Sequence, residues 1–238
     1  MTHAPISNRK KLNPPLNCAK CKRLKKFREL HIPDHPDWHN APVGTWYPNL
    51  NPADKTLYKE APALETTEQV KLLIVGMAPG LKGANRTGRP FTGDYAGDLL
   101  YSTLLKFGFA EGEYLSTPND SMNLINCAIT NAVRCVPPQN KPIGEEVNNC
   151  RPYLENTLKF LPQLKIVLTL GKIAHDTTLR TLGERVAAYP FKHNVSYDLP
   201  RFKLISSYHC SRYNTNTGVL TTEMFEDVFE KIRKTVDA

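Results

Sequence analysis

No apolar run in this 238-residue chain reaches the ~18 residues a helix needs to cross a bilayer. The opening stretch MTHAPISNRKKLNPP has charge but no apolar segment behind it, so a secretory signal is lacking and a cytoplasmic protein is expected. Internal repeats and low-complexity tracts are absent too. Six cysteines are too few and too irregular for a disulfide scaffold in a reducing compartment. Cys18-Ala-Lys-Cys21 is a CxxC pair, but the second short CxxC knuckle that a zinc ribbon needs is missing, and no βαβ pattern surrounds the pair to suggest a thioredoxin-type role. Acidic side chains are scarce at the N-terminus. Residues 1–29 hold nine Lys/Arg (Arg9, Lys10, Lys11, Lys20, Lys22, Arg23, Lys25, Lys26, Arg28) against Glu29 alone. With a net charge of +8, this clustering is the footprint of a polyanion binder or of a solvated basic tail.

What is present is concentrated in two stretches. GMAPGLKGANRTGRPFTGD (76–94) places five glycines in nineteen residues, directly after the apolar run LLIV. It imitates a phosphate-binding P-loop but fails where the chemistry lies. Arg89 stands for the lysine, Pro90 for the Mg²⁺-holding hydroxyl, and Pro90 disfavours helix at Arg89. G-x-G-x-x-G is also absent, so no nucleotide cofactor is expected. The loop instead offers close backbone approach at Gly76, Ala78 and Gly80. Arg86 and Arg89 can follow a phosphodiester, Phe91 presents a π-face for a base, and Asp94 is either a carboxylate for chemistry or a helix N-cap. The second stretch, SSYHCSRYNTNTGVLT (206–221), gathers a His, hydroxyls, an Arg and two Asn in the manner of a ligand-facing loop.

Four near-continuous apolar runs read as strands buried on both faces: 71–77, 122–129, 165–170 and 202–207. Helical periodicity occupies 96–108, 145–161, 171–183 and 221–236, with Pro152 expected at a kink or break. Alternation of strand and helix implies right-handed parallel crossovers, hence a three-layer α/β/α sandwich with a central four-stranded parallel sheet and functional loops at the strands' carboxyl ends. Residues 1–65 lack this periodicity and are expected to form an irregular basic arm packed on the core at 66–238. Cys127 reads as a small core residue. Cys18, Cys21, Cys135 and Cys150 suit an iron–sulfur cluster as well as zinc.

These motifs, with AVRCVPPQNKP (132–142), CRPYL (150–154), PFKH (190–193) and YHCSRYNTNTG (208–218), resemble the uracil-DNA glycosylase superfamily, in its family-5, type-b branch. The likeness spans most of the chain, from about Cys18 to the C-terminal helix. It implies a [4Fe–4S] cluster on Cys18, Cys21, Cys135 and Cys150, and a monofunctional glycosylase acting on single- or double-stranded damaged DNA, with no membrane role and as a monomer. By the same resemblance, Phe91 stacks on a flipped uracil and Asn131 reads its Watson–Crick edge. His209 donates to the uracil O2, and Asp94, assisted by Asn140, supports the sugar cation and orients water. Ser211, Arg212, Asn214 and Asn216 grip the DNA. Hypoxanthine is within the branch's range. Three features stand out against the superfamily: Met77 and Ala78, typical of this branch, replace the polar residue of other branches, Asn131 stands where the branch often has a small apolar residue, and Cys210 where proline is commoner. The competing class is a non-enzymatic DNA-binding module with a structural metal site.

Overall fold

The computed structural model describes residues 12–51 and 62–237. Arg9, Lys10 and Lys11 of the basic cluster lie outside the described residues. In chain order the elements are α1 (Lys22–Glu29), α2 (Leu64–Glu68), β1 (Leu72–Gly76), α3 (Ala84–Thr87), α4 (Tyr95–Lys106), β2 (Ala110–Glu111), β3 (Asn123–Leu124), β4 (Cys127–Asn131), α5 (Gly144–Lys159), β5 (Ile166–Leu170), α6 (Lys172–Thr181), β6 (Val195–Asp198), β7 (Lys203–Ser207), α7 (Arg212–Asn216) and α8 (Thr222–Asp237). Among the described residues no helix is long and apolar enough to cross a membrane.

The central sheet runs β4-β1-β5-β7-β6. The first four strands are parallel, with Leu72 opposite Cys127 and Ile166, and Leu168 opposite Ile205. They correspond to the four expected runs, with β4 overlapping the end of the run at 122–129. Continuous apolarity arises because both faces are covered: Leu72 and Ile74 pack toward α4 and α8, Leu73 and Val75 toward α5 and α6. The fifth strand, β6, runs antiparallel along β7 at the sheet edge. Its side chains alternate between half-buried and exposed, so it lacks the apolar signature of its neighbours.

Two local expectations change. The run at 122–129 is not one strand. Asn126 sits at φ +55°, and this left-handed residue separates β3, which pairs with β2, from β4 in the main sheet. Pro152 does not break its helix, because α5 continues through it, with Val147 on one side and Leu154 and Leu158 on the other buried to hold the segment across the missing N–H. In the arm, Trp46 exchanges two backbone hydrogen bonds with Ile129, and Trp46 and Tyr47 are buried on opposite sides of the sheet.

Candidate active site

The carboxyl ends of β1, β4 and β7 deliver three loops to one cavity of about 560 Å³. Gly76 closes β1 opposite Asn131, the last residue of β4. A Cβ on Gly76 would stand 2.4 Å from the Asn131 Oδ1 and 2.5 Å from the Phe91 ring, so glycine is required for those side chains to meet. Phe91 is buried at φ +53°, an uncommon backbone state for a bulky residue. The turn around it is heavily bonded: the Tyr101 hydroxyl donates to the Pro90 carbonyl, and Thr87 Oγ1 donates to the Thr92 carbonyl at 3.0 Å.

The glycine loop closes around a carboxylate. Cβ atoms on Gly80 and Gly83 would lie 2.6 Å and 2.2 Å from the Asp94 Oδ2. Asp94 occupies the N-cap position of α4 in extended conformation, yet its side chain makes no capping hydrogen bond. Burial pushes its carboxyl above the ordinary value, opposed by the Gly97 and Ala96 amides. From β7, His209 lays its ring 6.0 Å from that of Phe91 at an interplanar angle of 28°. Desolvation takes His209 down to about 4, so the imidazole is neutral at physiological pH. Asn214 Nδ2 donates to the His209 carbonyl at 2.8 Å, and Cys210 Sγ donates to the Ala96 carbonyl at 3.4 Å, tying the His209 loop to the start of α4. Ser211 caps α7, accepting from the Asn214 amide.

The cavity is lined by Ala78, Gly80, Phe91, Asp94, Asn131, Asn140, His209, Ser211 and Arg212 among the residues singled out from the sequence. Gly76 lies behind its wall. Asn214 and Asn216 are on α7 outside the lining, and Arg86 is half-buried, its Nε donating to the Lys82 carbonyl at 2.8 Å. Arg89 corrects the sequence reading. It is 1% exposed, gripped by both oxygens of Asp120 at 2.6 and 2.7 Å, bonded to Thr92 Oγ1 and laid over the Trp46 ring. No face remains for a phosphate, and Arg89 is a core fastener of the Phe91 turn. The sequence reading passed over Lys82 and Tyr95, which also line the cavity. Lys82 between Gly80 and Gly83 was a cation in the same loop, and the Arg212 guanidinium lies 5.2 Å from the Tyr95 ring centre.

Cys18, Cys21, Cys135 and Cys150 line a second, small cleft between the arm and α5. Asn149 Nδ2 donates to the Cys21 Sγ at 3.5 Å, and Leu24 packs with Cys135 and Cys150. Among the described residues no group of three or more His, Cys, Asp and Glu is gathered as a metal-ion site. Four thiols from three separate segments line this one cleft, a donor set of the kind that ligates iron–sulfur clusters.

A model described as Uracil DNA glycosylase superfamily matches residues 64–233. The chain is 43% identical over 167 residues to a type-5 uracil-DNA glycosylase of Thermus thermophilus, covering 70% of this chain and 76% of that protein. It is 33% identical over 224 residues to a type-5 enzyme of Pyrobaculum aerophilum, covering 92% and 89%. A type-4 uracil-DNA glycosylase of Sulfurisphaera tokodaii is 28% identical over 227 residues, covering 92% and 80%.

Proposed function

The chain belongs to the uracil DNA glycosylase superfamily, and from that premise we propose that it is a monofunctional DNA glycosylase that hydrolyses the N-glycosidic bond of a flipped deoxyuridine and leaves an abasic site. One observation carries this reading. Asn131 Oδ1, Asp94 Oδ1 and His209 Nδ1 are buried polar atoms without partners, and their residues line the same cavity. Orphaned polar atoms are costly, and three converging on one cavity call for a ligand with complementary groups.

The roles follow from placement. A base must leave the duplex to be excised. Phe91 offers the face on which the flipped uracil stacks, and the Asn131 amide pairs with its edge in a pattern that cytosine cannot satisfy. Neutral His209 donates a hydrogen bond to the O2 where charge gathers as the base departs. The sugar develops oxocarbenium character, for which the Asp94 carboxylate supplies the counter-charge and orients the attacking water, as carboxylates do in glycoside hydrolysis generally. Asn140 at the rim assists. Lys82, Arg212 and Arg86 suit the flanking phosphates, with Ser211 and Asn216 near the space vacated by the base. Cys18, Cys21, Cys135 and Cys150 would hold a [4Fe–4S] cluster. When bound, it supplies iron–thiolate bonds that fasten the arm to the core.

The test is single-turnover excision on labelled duplexes carrying U opposite G, U opposite A, or hypoxanthine opposite T. Strand breaks at U that require alkali are expected, and the relative rates define the lesion range. Folded protein holding its metal that cleaves none of these duplexes, nor uracil in single strands, would leave only DNA binding.

A further inference from the structure

Arg28 ends the basic run of α1, and it is 3% exposed. Its Nη2 donates to the Cys18 carbonyl at 3.0 Å, while its Nε and Nη1 are buried without partners. Among the described residues no carboxylate forms an ion pair with it, although Arg23 on the same helix has Glu146 and buried Arg89 has Asp120. A buried, uncompensated guanidinium is among the costlier things a fold can contain. Its surroundings say what is missing. Leu24, one turn earlier on the same face, packs against Cys135 and Cys150. The Cys18 whose carbonyl Arg28 binds, and the Cys135 and Cys150 that cluster with Leu24, are three of the four cysteines lining one cleft, so the Arg28 fork lies next to that cleft.

We propose that Arg28 is the counter-cation and hydrogen-bond donor of the iron–sulfur cluster held by Cys18, Cys21, Cys135 and Cys150. The proposal rests on the cluster reading above. Four thiolates make the assembly a net anion, and N–H groups directed at cluster sulfurs raise its reduction potential and strengthen its retention. One residue then resolves two imbalances: the buried positive charge that lacks a partner, and the negative charge that four clustered thiolates create. Arg rather than Lys fits, because the planar fork bonds a backbone carbonyl with one nitrogen and presents the others elsewhere. Arg28 thus couples α1 to the metal site and makes the cluster's stability depend on how the arm is seated.

The experiment uses the full chain, purified without oxygen, with Arg28→Met and Arg28→Lys beside it. Iron, acid-labile sulfide, visible absorbance under chelator and reduction potential are measured, with far-UV circular dichroism as the check on folding. The wild type is expected to hold iron and sulfide in equal amounts. Arg28→Met is expected to lose its cluster absorbance about 10–100-fold faster with a lowered potential. Arg28→Lys, which keeps the charge but not the fork, should fall between. A folded Met variant with wild-type loss rate and potential overturns the proposal. If the Met variant does not fold, a Lys variant identical to wild type in both readouts overturns it instead. Wild-type protein carrying zinc, or no sulfide, removes the cluster reading and the Arg28 role with it. An intact cluster indifferent to Arg28 removes only the latter.

Discussion

His209 shows what a preformed cavity does to a single side chain. Its pKa falls from 6.5 to about 4 because burial strips water from the charged form. As pH drops, the unfolded chain therefore takes up this proton first. The stability contribution is complete above pH 6.5 and drains away as pH falls toward 4. The upper bound is about 3 kcal/mol, reduced by the part of the ring that still faces the cavity. Urea unfolding between pH 8 and pH 4 should reveal this slope, and His209→Gln should flatten it. Excision should show no His209 inflection near neutral pH. Asp94 has the opposite sign. Its raised carboxyl pKa means that stability falls as pH rises from the ordinary carboxylate value through the raised one, because the folded state ionises this group at a cost. Asp94→Asn is accordingly expected to slow excision about 10²–10⁴-fold while leaving DNA affinity intact and melting temperature equal or higher. A variant that keeps its excision rate would remove Asp94 from the chemistry.

At the scale of elements, the Phe91 turn and α4 are one mechanical unit. A Cβ on Gly97 would come within 1.9 Å of the Phe91 carbonyl oxygen and 2.5 Å of the Tyr114 hydroxyl. Alanine ordinarily gains about 1 kcal/mol over glycine inside a helix. Here the backbone clash outweighs that gain, so Gly97→Ala should lower stability and excision together. A more stable variant would overturn this packing account. The same turn hangs on Arg89 and Asp120, both with buried side chains. Asp120→Ala leaves Arg89 buried and unpaired and should cost about 3–5 kcal/mol by denaturant titration. Arg89 also marks a limit of reading composition. An arginine in a glycine-rich loop looks like a phosphate contact until Asp120, thirty-one residues away, is found against it.

For the whole molecule, net charge +8 and a basic arm predict DNA binding that weakens steeply with salt. On duplex DNA the slope of log affinity against log salt is about −0.9 per phosphate neutralised. Removing a surface cation such as Arg212 should lower that slope by about one, whereas replacing buried Arg89 should leave it unchanged. Fluorescence anisotropy across a salt series separates the two.

The four parallel strands were legible along the chain because each is buried on both faces and so reads as unbroken apolarity. The long glycine and His209 motifs were legible as a site because polar, small and aromatic residues crowd together at strand ends. The edge strand β6 left little trace, since a half-exposed strand needs only alternation. Asn126 gave no warning of its left-handed turn, and Pro152 suggested a kink or break where α5 continues without a break. Residue order determined which groups the chain could bring to its loops. Tertiary contact alone decided that Gly80 and Gly83 close around Asp94, that Arg89 belongs to the core, and that Arg28 lies buried against the Cys18 carbonyl. Those outcomes depend on partners distant in sequence, whose burial converts a charge from a solvated surface group into one that must find its counterpart.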